Sequence, residues 1–137
     1  METTYANYKT EPYGRGVVAP MRRGVGGDFQ TSTGVPLLKA SVHQIVTTQP
    51  GDLVHRPEFG VDLDQFRHRN ITPALGMAAA SEIVMAISIY EPRVTISSVS
   101  VTKQPGSPVL NIKVTWQPSA EYGGDVQMAP EMQEIAA

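Results

Sequence analysis

The stretch TPALGMAAASEIVMAISIYEPRVTISSVSV, Thr72 to Val101, decides the fold. Thr72 is a good helix N-cap and Pro73 a good first helical residue. From there to Tyr90 the chain is rich in Ala and Met, with Glu82 as the one charge between Arg69 and Glu91. At about 19 residues such a helix approaches the length of a bilayer span. Glu82 near its middle and Gly76, Ser81 and Ser88 argue instead for a central buried helix of a globular domain. Glu91-Pro92 ends it, because a residue before proline avoids the α region. Val94-Thr95-Ile96 then alternates with its apolar residues at even numbers, and Val99-Ser100-Val101 at odd numbers. The phase slips across Ser97-Ser98, which predicts a β-bulge.

Downstream, Gln104-Pro105-Gly106-Ser107-Pro108 reads as a turn. Leu110, Ile112, Val114 and Trp116 alternate with polar residues, so 109–117 is a half-buried strand that Pro118 closes. Upstream, Leu38, Val42, Ile45 and Val46 form the stripe of an amphipathic helix that starts near Pro36 and stops at Gln49-Pro50-Gly51. Asp62 with Gln65 reads as the capping box of a short turn holding Leu63 and Phe66. The fold class is therefore α+β. Two main helices pack on a short antiparallel hairpin, with extended arms at both ends.

Three segments follow: an extended N-terminal arm (1–36), a domain (37–117) and an acidic, flexible tail (118–137). Large aliphatics concentrate in the middle segment, which holds 23 of the 29 Leu, Ile and Val residues. Glycine and proline concentrate outside it, with 13 of 23 in the 56 flanking residues. About 81 residues make a thinly stabilised core, which favours a domain completed by partners. Tyr5, Tyr8 and Tyr13 put three of the five tyrosines at the start of the arm. Solvating tails are poor in aromatics, so these three are candidate docking residues. The free edges of the 94–117 hairpin are templates for another strand. The alternative is that part of the arm pairs with them within the chain.

Composition excludes other classes. The formal net charge is −2, which offers nucleic acid no basic face, and there is no cysteine for disulfides or thiolate sites. The first residues lack the basic and apolar regions of a signal peptide. His43, His55 and His68 show no metal-ligand spacing, so no metal and no cofactor are expected. Arg67-His68-Arg69 reads as a solvated turn. Glu58 with Asp62 or Asp64 is the one pairing that suits a glycan hydrolase, with one carboxyl as acid and the other as base.

Thr47-Thr48-Gln49-Pro50-Gly51-Asp52, Arg56-Pro57-Glu58-Phe59-Gly60 and Tyr90-Glu91-Pro92-Arg93-Val94 together carry a resemblance. In order and spacing they resemble the gene 25-like, or TssE-like, family of baseplate wedge proteins in contractile tails. Asp52 departs from the family's usual Glu but keeps the charge. The resemblance covers about residues 37–117. It implies a non-enzymatic structural subunit of the virion tail baseplate, six copies per particle, assembled in the host bacterial cytoplasm. It implies contacts with other wedge proteins, with sheath protein strands and with tube or hub proteins, and none with nucleic acid or membrane. By the same resemblance Glu91, Pro92 and Arg93 form the wedge contact. The strands bearing Val94, Ile96, Val99 and Val101 face the sheath. Glu91→Ala or Arg93→Ala is then expected to leave the isolated fold intact. Pro50, Gly51, Asp52, Arg56, Pro57, Phe59 and Gly60 shape a loop against the long helix.

Overall fold

A computed structural model describes residues 13–17, 21–119 and 130–137. Its elements run β1 (Arg15–Val17), β2 (Thr31–Thr33), α1 (Gly34–Thr47), α2 (Asp64–Arg67), α3 (Pro73–Tyr90), β3 (Val94–Lys103), β4 (Leu110–Pro118) and β5 (Glu131–Ala136). The protein is an α+β domain. A three-stranded antiparallel sheet, ordered β3-β4-β5, packs on α1 and α3, while β1 and β2 form a separate antiparallel pair.

Local signals place most boundaries. Thr72 caps α3, its hydroxyl accepting from the Leu75 N–H at 3.3 Å. The β3–β4 ladder shifts register between Ile96 and Ser98, so Ser97 is the extra, bulged residue. The connecting turn closes by Ser107 N–H donating to the Gln104 carbonyl, with Gly106 at φ 79°. Proline then glycine at the two central positions is the requirement of a type II turn. β4 alternates as expected, with Leu110, Ile112, Val114 and Trp116 all buried. At the sheet's far corner the Lys103 ammonium donates to the carbonyls of Arg67 and Arg69, tying the segment after α2 to the end of β3. α1 begins at Gly34 rather than at Pro36, with Pro36 in the first turn where no helical N–H is required.

Three expectations are corrected. The acidic tail is not a free extension at its end, because residues 131–136 form the edge strand β5 on β4. Ile135 is buried there, and Gln133 accepts from the Trp116 indole N–H at 3.3 Å while donating to the Lys39 carbonyl at 3.0 Å. The arm is not simply extended, because it holds β1 and β2, which pair with each other and not with the main sheet. α3 is not buried all round. Ala79, Ile83, Ala86 and Ile87 face the core, whereas Met77 (73% exposed), Met85 and Ile89 face outward. β3 and α1, the elements packed against it, cover only one side. By length and composition alone α3 would also pass as a membrane span.

The loop between α1 and α2 is fixed by close backbone approach. Gly60 has φ 112°, and a Cβ there would lie 2.1 Å from the Thr48 carbonyl oxygen. The neighbouring Val61 N–H donates to that same carbonyl at 3.0 Å. Two stability predictions follow from this packing. Ile135→Ala should cost about 3 kcal/mol, lowering Tm by roughly 15 °C in a domain of this size. Gly60→Ala should be at least as damaging, since neither its φ nor its space suits a side chain. Thermal unfolding followed by circular dichroism checks both, and an unchanged Tm for Ile135→Ala would remove β5 from the folded core.

Candidate functional site

The two sequence motifs meet at the C-terminal end of α3. The Phe59 and Tyr90 rings lie 4.8 Å apart at a tilt of 56°, and the Tyr90 hydroxyl donates to the Glu58 carbonyl at 2.8 Å. Pro50-Gly51 turns the chain, with Gly51 at φ 98° and Asp52 accepting from the Gln49 N–H at 3.3 Å. Asp52 and its neighbours thus hold the loop's shape. Arg56 and Pro57 are exposed on its outer side.

Beyond Tyr90 the chain turns a tight corner. Glu91 ends the helix, its N–H donating to the Ile87 carbonyl at 2.8 Å. Its side chain points inward and is 2% exposed. Arg93 grips the carboxylate with two donors, Nε at 2.6 Å and Nη2 at 2.7 Å, the bidentate geometry that suits guanidinium and carboxylate. The Ser41 hydroxyl on α1 donates to the same carboxylate at 2.5 Å. The third arm of the guanidinium, Nη1, donates to the Tyr13 carbonyl at 2.6 Å. Tyr13 is buried, its hydroxyl donating to the Ser119 carbonyl at 3.3 Å, and the Ser119 N–H donates to the Arg93 carbonyl at 2.8 Å. The corner therefore ties together α1, the end of α3, the start of β3, the exit of β4 and the N-terminal arm.

Electrostatics agree with this role. Burial by itself would push the Glu91 carboxyl up, but hydrogen bonds from Arg93 and Ser41 and the Arg93 charge outweigh it. Glu91 is held below the ordinary glutamate value of 4.5. Arg93 is raised by the hydrogen bond from the same pair, against its own partial burial.

The geometry revises the expected partner residues. Glu91 is spent inside the chain and is not offered to a partner. Pro92 is exposed and Arg93 partly so. Val94 and Val101 are buried and Ile96 and Val99 half-buried, so their side chains serve the core, and only the strand's edge and polar face are open. Tyr13 plugs the core and is not a docking residue, while Tyr5 and Tyr8 lie outside the described residues. Glu58, Asp62 and Asp64 are exposed, and Asp64 is paired with Arg67 at 2.9 Å. None of the three lines the grooves beside α3, on the sheet or at the arm. The residues that sequence reading missed are Ser41 and the carbonyl of Tyr13. The one local sign in the sequence is Gly14, a residue that favours the left-handed backbone which Tyr13 and Gly14 both adopt, at φ 72° and 76°.

Residues 35–121 match the family model of the baseplate wedge protein gp25, and the chain belongs to that family. The baseplate wedge protein gp25 of Enterobacteria phage T4 is 35% identical over 74 residues, 54% of this chain and 56% of that protein. The chain thus spans just over half the length of that relative. The fold is shared more widely. A protein of the anti-feeding prophage baseplate superposes with TM-score 0.67 at 22% identity, over 83% of this chain and 88% of its own. One from the type VI secretion baseplate complex gives 0.57 at 20%, over 74% and 92%. A tail-lysozyme candidate from Geobacter sulfurreducens gives 0.62 at 18%, over 77% and 91%.

The corner makes a stability prediction opposite to the one drawn from sequence. Arg93→Ala leaves a buried, unpaired carboxylate and should cost about 3 kcal/mol in urea unfolding. Because the folded Glu91 value is depressed, its contribution is present above the unfolded glutamate value and is lost as pH falls through the folded one. Glu91→Gln should therefore flatten the loss of Tm below about pH 4.5. Parallel acid profiles of the wild type and this variant would show that Glu91 does not contribute.

Proposed function

We propose that this chain is a structural baseplate subunit of a contractile tail or related injection device. It joins the wedge to the first sheath ring and starts sheath assembly by accepting strands. The observation that carries this reading is the free edge of β3. Among the described residues the order β3-β4-β5 leaves β3 and β5 with unpaired sides. Proteins blunt such edges with charges, prolines or short length. β5 has six residues, including Glu131 and Glu134. β3 has ten, and from Val94 to Thr102 it carries no charge and no proline. Its open side runs along a groove lined by Pro73, Gly76, Met77 and Ala80 of α3, a floor for the apolar side chains of an added strand.

Family membership and likeness to baseplate proteins support the setting: the virion tail baseplate, assembled in the host cytoplasm, with other wedge proteins, sheath and tube or hub proteins as partners. The six-fold symmetry of the anti-feeding prophage baseplate supports six copies per particle. Within that setting the E-P-R corner acts through its shape. Pro92 and the outer face of Arg93 form the wedge-facing surface, and Glu91 holds it from inside.

Ser98→Lys with Ser100→Lys adds charge to the β3 edge at exposed positions and should leave Tm unchanged. Baseplates carrying this variant should form, but sheath polymerisation on them should fall at least tenfold, as counted by electron microscopy. Sheath growth at the wild-type rate would remove strand addition at β3. The hydrolase reading predicts clearing of peptidoglycan suspensions that Glu58→Gln abolishes. No clearing by the wild-type chain is expected.

A further inference from the structure

The N-terminal hairpin has a use that the core fold does not require. Between β1 and β2, residues 21–30 fold back on themselves. Gly24 N–H donates to the Asp28 carbonyl at 2.6 Å, Gln30 N–H to the Arg22 carbonyl at 2.7 Å and Gly27 N–H to the Gly24 carbonyl at 3.1 Å. The Arg23 side chain braces the tip from within, donating to the Gly27 carbonyl at 3.2 Å. At the base, β1 and β2 pack on α1, and Arg93 holds the carbonyl of Tyr13, two residues ahead of β1. The tip is a shaped element, anchored at its root.

What it shows to solvent is unlike the rest of the surface. Val25 is fully exposed, Met21 is 72% exposed and Phe29 65%, and Arg22 and Arg23 stand beside them. Residues 13–36 carry three arginines against one aspartate, whereas the remainder of the chain has eight basic and twelve acidic residues. Aromatic residues, Met and Arg are the types enriched in protein–protein interfaces, and aromatics and Arg dominate hot spots. A chain of net charge −2 is a poor ligand for a polyanion. The hairpin also lies outside residues 35–121, the part that matches the family model.

We propose that residues 21–30 are a docking finger that inserts Val25, Phe29 and Met21 into an apolar cleft rimmed by carboxylates on another protein of the same assembly. Arg22 pairs with the rim, while Arg23 holds the shape of the tip. The finger is prefolded, so little ordering cost opposes binding. The carboxylate rim sets orientation and excludes basic surfaces. This rests on the baseplate reading.

The test expresses the full-length chain with the other baseplate proteins of its own system and measures copies per assembled baseplate by quantitative mass spectrometry. Two variants are compared, Val25→Asp with Phe29→Ser, and Arg22→Glu. Both should keep the wild-type Tm and fall at least tenfold in incorporation. If Phe29→Ser lowers Tm, Val25→Asp alone decides, since that side chain is fully exposed. Wild-type incorporation of the variants overturns the finger while leaving the baseplate reading intact. Absence of the wild-type chain itself from baseplates overturns both. Binding of the isolated chain to anionic phosphatidylglycerol vesicles or to duplex DNA that depends on these residues, with incorporation unaffected, also overturns the proposal.

Discussion

One buried ion pair organises the molecule. Glu91 sits at the turn where the long helix becomes the first strand of the main sheet, and Arg93 is its bidentate partner. A charge pair this deep is worth little as net stability, because desolvation opposes the Coulomb gain. Its value is geometric. The guanidinium and carboxylate present directional bonds to Ser41 and to the Tyr13 carbonyl, fixing the angle between α1 and α3 and the point where the arm leaves the domain. An apolar pair of equal volume would fill the space without setting those directions.

That geometry explains what the sequence made legible and what it hid. The cap at Thr72, the stop at Glu91-Pro92, the bulge at Ser97 and the alternation of β4 all rest on neighbours within a few residues, and each falls where local chemistry put it. β5 was invisible for the opposite reason. Only Ile135 of its six residues is buried, and pairing with β4 makes it a strand. The direction of Glu91 was hidden in the same way. Two charges flanking a proline read as an outward-facing pair, and only the contact of Glu91 with Ser41, 50 positions away, and of its partner Arg93 with Tyr13, 80 positions away, holds the pair inside. In the loop motif, Phe59 makes a ring contact with Tyr90 and Gly60 a close backbone approach to Thr48. For Arg56 and Pro57 the structure shows only exposed positions.

The surface divides into parts of different character. The body carries the shared fold, with its uncharged β3 edge beside the apolar outer face of α3. The hairpin adds a small cationic and apolar projection outside residues 35–121, the part that matches the family model. The two differ in what they offer, main-chain groups along a strand edge in the body and exposed side chains in the hairpin.

The bulge at Ser97 carries a consequence for whatever pairs with β3. An extra residue twists its strand and shifts the facing of every side chain beyond it. A strand that follows the whole of β3 must shift register at Ser97, as β4 does, where Ile96 faces Trp116 and Ser98 already faces Thr115. On either side of the bulge the ladder is regular, over three residues before Ser97 and six after it. A strand added to the other edge would meet the same break, and its own sequence would have to keep its apolar residues in step across it.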